Sequence, residues 1–209
     1  MTLYIPAHFR VDDRDELLEF VRDNAFGTLV SSGPGGLLVS HIPFVVERGG
    51  DGSVRLLGHV ARANPQWKSL EAADAAVAIF QGPHAYVSPT WYEHHPSVPT
   101  WNYAVVHAQV RARLMDEAAL RDLLRRLSSK YEAGRPSPWR MEDLAPDYVA
   151  KMLNAIVGFT LEVERLEGKF KLSQNRPGAD AERVAAALES DGEAALATLM
   201  RAHPAPRKG

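Results

Sequence analysis

The residues best suited to binding chemistry lie in the segment Gly58–Trp67, which has the sequence GHVARANPQW. The residues Val54–Ala61 alternate as in a strand, and Asn64 followed by Pro65 is typical of a helix N-terminus. The free N–H groups of a helix start, together with the guanidinium of Arg62, suit a phosphate group. An ordinary capped helix beside a solvent-facing arginine explains the same residues, and local chemistry alone leaves both interpretations open.

The segment Gln81–Tyr103 is crowded with aromatic residues and interrupted by prolines. Stacking on an aromatic side chain stabilises a planar group by about 1 kcal/mol beyond its burial. The side chains suited to this are Trp91, Tyr92, Trp101 and Tyr103. The amide of Asn102 supplies both a donor and an acceptor for the edge of a heterocycle. An aromatic cluster packed beneath a long loop is the alternative.

A third polar segment, Lys169–Arg176, follows the last predicted strand and has the sequence KFKLSQNR. Its side chains Lys171, Gln174, Asn175 and Arg176 are dense in hydrogen-bond donors. Such a segment is suited to a ligand, and equally to a solvated loop.

Metal binding and nucleophilic catalysis find little support in the chain. The cluster Glu93, His94 and His95 lacks a third ligand with defined placement, so no metal site is predicted. His41 and His59 lie on predicted strands among apolar residues and are expected to be partly buried. The chain contains no GxSxG, HExxH, P-loop or Rossmann glycine pattern and no cysteine. No catalytic residue is therefore predicted.

Hydrophobic periodicity predicts alternating groups of strands and helices. The helices are predicted at about Asp12–Asn24, from Asn64, and at Asp116–Tyr131, Pro146–Ile156, Asp180–Glu189 and Gly192–Arg201. The strands are predicted at Phe26–Ser32, Leu37–Val46, Val54–Ala61, Ala75–Gln81, Trp101–Met115 and Gly158–Leu166. Short strands with glycine turns, and helices added to them, predict an α+β fold on a closed or partly closed barrel.

Two local patterns carry further expectations. Leu37–Val46 has apolar residues at both its odd and its even positions. This predicts that both faces of the strand are covered and indicates a dimer interface. The run Ser190–Glu193 has the form of a capping box, which would begin the last helix.

Composition limits the class of protein. The 209 residues suit one domain with appendages, and 45% of them are hydrophobic, enough for a core. We expect a cytoplasmic protein without a membrane segment, because the chain lacks cysteine, a signal-peptide pattern at its start and an apolar run of ~20 residues. The net charge of −2 does not favour nucleic-acid binding. Local basic clusters occur at Arg121/Arg125/Arg126, Arg135/Arg140 and Arg201/Arg207/Lys208.

Six motifs, taken in order along the chain, resemble the PaiB-type family, the FMN-binding negative transcriptional regulators. They are MTLYIPAHFR at the start, SHIPFVVE at Ser40–Glu47, GHVARANPQW at Gly58–Trp67, YVSPTWY at Tyr86–Tyr92, VPTWNY at Val98–Tyr103 and KLSQNR at Lys171–Arg176. The resemblance extends from Tyr4 to about Arg176. Each motif alone is weak evidence for the family. Six motifs in the same order are not expected by chance.

The resemblance implies an FMN-binding split β-barrel of the pyridoxamine-phosphate-oxidase-like group, with peripheral helices and a C-terminal helical extension. It implies a barrel domain at 1–176, an extension at 177–209, and a homodimer with flavin at the subunit interface. Carried over by position, Arg62 and Asn64 would contact the FMN phosphate, and Ser40, His41 and Ile42 would lie along the flavin ring. The site would be completed, from the same chain or from the partner subunit, by Trp101, Asn102, Tyr103, Gln174, Asn175 and Arg176.

Three functions follow from the resemblance. The first is an FMN-binding regulator with DNA or another regulatory partner. The second is an FMN-dependent oxidoreductase or flavin reductase, in which His41, His59 and Asn102 would tune the flavin. The third is a haem-binding or haem-degrading barrel with a histidine as axial ligand. The sequence leaves open whether the protein is an enzyme and names no substrate or electron donor.

Overall fold

The computed structural model of the chain describes residues 3–72 and 76–204. Within these ranges the strands are β1 Arg10–Val11, β2 Phe26–Gly33, β3 Gly36–Pro43, β4 Val45–Arg48, β5 Val54–Ala61, β6 Ala76–Val87, β7 Thr100–Leu114 and β8 Ile156–Lys171. The α-helices are α1 Arg14–Asp23, α2 Gln66–Ala72, α3 Glu117–Glu132, α4 Pro146–Asn154, α5 Gly178–Ser190 and α6 Ala194–Ala202. Short 3-10 helices lie at Ala7–Phe9, Pro89–Trp91 and Met141–Asp143.

The strands form an antiparallel sheet with the order β3-β2-β6-β7-β8-β5-β4, and β1 pairs with β8. The order is open, with β3 and β4 at its two ends. Segregated antiparallel strands and helices define an α+β fold, so the predicted class is confirmed.

The chain divides into two compact units. One, here called the terminal unit, consists of Met1–Phe20, Gln81–His107 and Glu167–Gly209. The other, the central unit, consists of Val21–Phe80 and Ala108–Leu166. The boundary expected near residue 176 stays a prediction.

In the central unit, helix α3 covers one side of β5. Its N-terminus is capped by Asp116, whose Oδ1 accepts a hydrogen bond of 2.8 Å from the N–H of Ala119. The leucines at helical spacing face inward, whereas Tyr131 at the end of the same stripe is half exposed. They join a buried cluster formed by Leu57, Leu120, Leu123, Leu127, Met141, Val149 and Leu153. Burial of this stripe explains why the predicted helix forms here.

Close packing in the central unit depends on Gly58. A Cβ atom at this position would lie 3.2 Å from Ile42 Cδ1 and 3.1 Å from Phe159 Cε2. Gly58 therefore admits the side chains of β3 and β8 against the backbone of β5. The sequence predicts a close approach at this glycine, and the approaching groups are the protein's own core.

In the terminal unit, helices α5 and α6 bury one face of β7 and β8. Phe170 of β8 contacts Phe20, with ring centres 4.9 Å apart, and is fully buried. The helices contribute the buried side chains Val184, Leu188, Leu196 and Met200. The C-terminal helices are therefore part of a hydrophobic core.

The strand predicted at Leu37–Val46 requires one correction. It is two strands, because Gly36–Pro43 pairs with β2 whereas Val45–Arg48 pairs with β5. Among the described residues its outer face is uncovered, since Leu37 and Val39 are 73% and 55% exposed, and its cover by a partner subunit stays a prediction. Alternation along β3 places these two side chains on the face opposite to the core.

Other bounds also differ from the predictions. Strand β6 continues past Gln81 to Val87, and β8 continues to Lys171. Pairing of β6 with β2 ends at Ile79. Pro83, which has no N–H to donate, therefore lies beyond this ladder and does not interrupt it. Ala75, where the strand was predicted to begin, lies outside the described residues. So do Arg207 and Lys208.

The predicted capping box is wrong. Gly192 has a φ of 91°, and the N–H of Glu193 donates to the carbonyl of Leu188 at 2.8 Å. This geometry ends α5, because a glycine in the left-handed region commonly follows a helix C-terminus. Glu193 precedes α6 without a capping hydrogen bond from its side chain.

Candidate functional site

Arg62 lies in the turn between β5 and α2, and its guanidinium binds the backbone of its own unit. Nε donates to the carbonyl of Asn154 at 2.6 Å, and Nη2 donates to the carbonyl of Ile156 at 3.0 Å. The N–H of Arg62 also donates to the carbonyl of Ala155 at 2.8 Å. Arg62 therefore ties the turn to the end of α4, and its assignment to the FMN phosphate stays a prediction.

Asn64 joins two of the sequence motifs. Its Nδ2 donates to the hydroxyl of Ser40 at 2.9 Å, and its Oδ1 accepts from the N–H of Gln66, also at 2.9 Å. The second contact is the predicted cap, although α2 begins two residues later and is short. The first brings SHIPFVVE and GHVARANPQW into direct contact, as the predicted site requires.

Gln66 is a residue that the sequence analysis missed. It is almost fully buried, and its Nε2 donates to the carbonyls of Leu29 and Leu38 at 3.1 and 3.0 Å. These carbonyls belong to β2 and β3. The start of α2 is thereby fixed to the hairpin that carries Ser40, and no local sequence pattern indicates such a contact.

The three ring-side residues predicted on β3 do not share a face. Ser40 and Ile42 point toward α2 and the core, whereas His41 points outward. On that outer face His41 Nδ1 and Thr28 Oγ1 form a hydrogen bond of 2.9 Å. A ligand on the outer face of β3 can contact the side chain of His41, and a ligand on the inner face can contact Ser40 and Ile42. A ligand on either face can contact the backbone of this end strand.

His59 on β5 is half buried, and its Nδ1 is enclosed without a hydrogen-bond partner among the described residues. Burial lowers the pKa of the imidazole below its ordinary value, so the ring is neutral at pH 7. An enclosed ring nitrogen without a partner is costly unless a ligand or water satisfies it.

A cavity of about 200 Å³ lies beside Arg62 and Trp67 in the central unit. Its apolar lining includes Met115, Leu120 and Leu153. Pockets that hold small molecules and cofactors typically measure about 300–1,000 Å³. This cavity is therefore too small to enclose a whole flavin nucleotide.

Asn102, in the terminal unit, is fully buried. Its Nδ2 donates to Ser173 Oγ at 2.9 Å and lies 3.4 Å from Met200 Sδ, while Oδ1 has no partner among the described residues. The contact with Ser173 joins the motifs VPTWNY and KLSQNR. The neighbouring side chains Trp101 and Tyr103 point to the opposite face of β7, where Trp101 is 53% exposed.

The three side chains of Gln174–Arg176 differ in their contacts and in their exposure. Gln174 stabilises its own turn, since Oε1 accepts from the N–H of Leu172 and Nε2 donates to the carbonyl of Phe170, both at 2.7 Å. Arg176 lies over the ring of Tyr92 at 4.3 Å. Asn175 is exposed.

His107 is a second enclosed imidazole that the sequence analysis missed. Its Nδ1 lacks a hydrogen-bond partner among the residues described. Burial lowers its pKa, and the nearby charge of Glu167 raises it in part. It shares the outward face of β7 with Tyr103.

Five arginines of the basic clusters noted in the sequence are ion-paired: Arg121, Arg125, Arg126, Arg135 and Arg201. Arg125 pairs with Glu142 at 2.8 Å, and Arg201 pairs with Glu182 at 3.0 Å. Further pairs join Arg121 to Glu117, Arg126 to Glu47, Arg135 to Glu132 and Arg201 to Glu189. Carboxylates thus offset the charge that a nucleic-acid phosphate would need. His94 likewise binds Asp180, with Nδ1 and Oδ2 3.1 Å apart.

Comparison with known proteins places these residues in a family. A family model described as "Putative FMN-binding domain" matches residues 3–165. The chain belongs to this FMN-binding family. It is 37% identical to protease synthase and sporulation protein PAI 2 of Bacillus subtilis over 189 residues, covering 90% of each protein. The resemblance to the PaiB-type family is thereby confirmed.

Two solved structures share the fold. The flavocytochrome Anf3 of Azotobacter vinelandii aligns with a TM-score of 0.59 and 20% identity, covering 80% of this chain and 72% of that one. The FAD and heme binding protein of Mycobacterium smegmatis aligns with a TM-score of 0.58 and 18% identity, covering 78% and 73%. At this identity the likeness concerns the fold, and it confirms the predicted split-barrel type.

The donor set fits the cofactor of the FMN-binding family. FMN carries a planar ring and an anionic phosphate, and the terminal unit contains the exposed ring of Trp101 and the cation of Arg176. FMN is accordingly the cofactor of this chain, as predicted. No helix in the described part of the chain is both long and apolar enough to cross a membrane.

Replacing Arg62 with alanine is expected to lower the free energy of unfolding by about 1 kcal/mol, because the carbonyls of Asn154 and Ile156 lose a charged donor. Urea denaturation measures the change. The variant Arg62→Lys retains one donor and should lose less. Wild-type stability in Arg62→Ala would show that the two hydrogen bonds contribute nothing.

Proposed function

We propose that this chain is a homodimeric, cytoplasmic, FMN-binding regulator of the PaiB type. The observation that carries the proposal is the hydrogen bond between Ser40 and Asn64, which joins two motifs expected at the flavin. His59, with an enclosed and unpartnered ring nitrogen, lies on the strand that leads into the same turn. The flavin then reports a chemical state, reduced or oxidised, to a regulatory partner.

The visible spectrum of the purified chain tests the cofactor directly. We expect flavin absorption bands on addition of FMN, saturating at one FMN per chain, and sedimentation as a dimer. A chain that binds no FMN at micromolar concentrations would contradict the proposal. The result does not depend on which side chain holds the phosphate.

The outer face of the β2–β3 hairpin supports dimerisation. Phe26, Leu37 and Val39 share this face and are 68%, 73% and 55% exposed. Leu37 and Val39 are neighbours on this face of the end strand β3, and exposed apolar side chains on an end strand mark an interaction surface. The small cavity beside Arg62 agrees with a site that needs a second subunit to complete it.

Replacing Leu37 with aspartate is expected to raise the dimer dissociation constant about 100-fold. The change loses the roughly 1.5–3 kcal/mol gained by burying leucine and places a charge in the interface. Analytical ultracentrifugation measures the effect. Met152→Asp, at an exposed apolar position on α4, is the matched control and should leave the constant unchanged. A Leu37→Asp dimer as tight as wild type would place the interface elsewhere.

An FMN-dependent oxidoreductase is the second candidate, and His59 favours it. A neutral imidazole beside a flavin can accept or donate a hydrogen bond as the flavin changes its protonation. Anaerobic addition of NADH or NADPH should then bleach the bound flavin within minutes, and His59→Ala should slow the reaction. Stable yellow colour under excess reductant would exclude this candidate for nicotinamide donors. Among the described residues no contact favours the haem alternative over flavin.

A further inference from the structure

A cavity of about 590 Å³ lies within the central unit, between the end of α3 and the segment that follows this helix. One wall is a single face of the helix, formed by Arg125, Ser128, Ser129 and Glu132 at helical spacing. The opposite wall is formed by residues of the segment 133–142. The volume falls in the range of about 300–1,000 Å³ that is typical of small-molecule sites. None of the described lining residues belongs to the six family motifs.

The outer wall of this cavity is held against the helix by contacts within the chain. The N–H of Trp139 donates to Glu132 Oε2 at 3.0 Å, and Arg125 Nε donates to Glu142 Oε1 at 2.8 Å. Met141, which lies between these two contacts in the sequence, is buried in the same cluster as the leucines of α3. The cavity is therefore formed in advance, and a ligand need not order the segment in order to bind.

Trp139 offers the cavity an aromatic ring. Its side chain is 48% exposed, although Met141 two residues later is buried. Among the described residues its indole takes part in no ring–ring or cation–π contact. An indole that lines a cavity in this way suits a planar ligand, because aromatic rings attract one another beyond the effect of their burial.

The two carboxylates that line the cavity already have cationic partners. Glu142 pairs with Arg125 at 2.8 Å, and Glu132 pairs with Arg135 at 3.3 Å. Arg135 also donates from Nε to the carbonyl of Tyr131 at 3.4 Å, so its charge lies at the negative end of α3 as well. A cationic ligand would therefore have to compete with arginines that are already in place.

Arg140 is the second cation that lines the cavity, and it is exposed beside Trp139. In the part of the chain that the structure describes, its guanidinium takes part in no ion pair. The hydrogen bond from Arg125 and, to a smaller extent, the charge of Arg140 hold the pKa of Glu142 below its ordinary value, so Glu142 stays ionised and paired with Arg125 at pH 7. Asp143, the next carboxylate along the chain, does not line the cavity. The guanidinium of Arg140 therefore remains for an anion, and its planar donors match a carboxylate.

We propose that this cavity binds a small aromatic carboxylate, with the ring against Trp139 and the carboxylate on Arg140. The inference goes beyond the proposed function, because the site lies within one unit of a single chain and uses none of the residues assigned to the flavin. A regulator with such a site responds to a small molecule of this class as well as to the state of its flavin.

Calorimetric titration of the full chain with 2-naphthoate, the neutral 2-naphthamide and the cationic 2-naphthylmethylamine tests the inference. FMN is present in excess, so that the flavin site is occupied and the probes do not bind there. We expect saturable binding of 2-naphthoate with a dissociation constant below about 1 mM. The amide lacks the charge and should bind about 10- to 100-fold more weakly, as for a lost charge-assisted hydrogen bond. The amine should also bind more weakly than the carboxylate.

Two variants of the cavity separate the charge from the ring. Arg140→Gln should weaken the binding of 2-naphthoate about 10- to 100-fold and leave 2-naphthamide unchanged. Trp139→Ala should weaken the binding of both probes. Arg22→Gln, at an exposed arginine of α1, is the matched control and should change neither affinity. All three positions are exposed, and circular dichroism checks that each variant folds as the wild type does.

Ser129→Trp provides an independent test that removes no charge. A bulky ring on the helix wall should fill the cavity and abolish the binding of all three probes. A preference for the carboxylate that disappears in Arg140→Gln supports the inference. It is overturned if the wild type shows no saturable binding, if it binds the carboxylate no more tightly than the amide or the amine, or if the preference persists in Arg140→Gln or Ser129→Trp. The proposed function stands in each of these cases.

Discussion

Replacing Gln66 with glutamate is expected to lower the free energy of unfolding by about 3–5 kcal/mol, the range for an uncompensated buried charge. The amide nitrogen of Gln66 faces the carbonyls of Leu29 and Leu38, and the side chain is almost fully buried. A carboxylate would place negative charge against two carbonyl oxygens. Urea denaturation at pH 7 measures the loss.

Two variants separate the charge from the missing donors. Gln66→Met keeps the approximate shape but leaves both carbonyls without this donor, so we expect a loss of about 1–3 kcal/mol. Gln81→Glu makes the same chemical change at an exposed position and should alter stability by less than about 0.5 kcal/mol. Equal stability of wild type and Gln66→Glu would mean that α2 is not fixed to the β2–β3 hairpin by this amide.

The second large effect is expected at Asp180 in the first turn of α5. Its carboxylate is fully buried and accepts hydrogen bonds from the N–H of Glu93 at 2.8 Å and from His94 Nδ1 at 3.1 Å. Asp180→Ala should cost about 2–4 kcal/mol, because it removes both contacts of a fully buried carboxylate and leaves the part-buried N–H of Glu93 without this acceptor. Asp180→Asn keeps an acceptor for Glu93 and should cost less, and Asp191→Ala is an exposed control.

The same residue predicts a dependence on pH. Burial raises the pKa of Asp180, but the hydrogen bonds from Glu93 and His94 outweigh it, so the pKa lies below its ordinary value. The carboxylate therefore stabilises the fold fully above about pH 5, one unit above the ordinary pKa of an aspartate. This contribution falls as the pH drops through the lowered pKa and the group is protonated. Asp180→Asn should lose less stability than wild type between pH 5 and pH 2, roughly the span of such a titration. If both proteins lose the same stability between pH 5 and pH 2, roughly the span of such a titration, the prediction is contradicted.

Local periodicity determined much of the secondary structure. The strand predicted at Val54–Ala61 and the helix predicted near Asp116–Tyr131 match β5 and α3 closely, because alternation and a leucine stripe each express one buried face. The order of six short motifs determined the family and the cofactor. Neither result needs a contact between distant residues.

The roles of the individual site residues were decided by tertiary structure. Arg62 looks free in the sequence, but carbonyls more than ninety positions away hold its donors. The sequence predicts that the amide of Asn102 serves a heterocycle, but Met200, 98 residues away, helps to bury it, and Ser173 takes its donor. A sequence specifies which polar groups a segment carries. The elements packed against that segment decide which of those groups still lack a partner, and only such groups remain for a ligand.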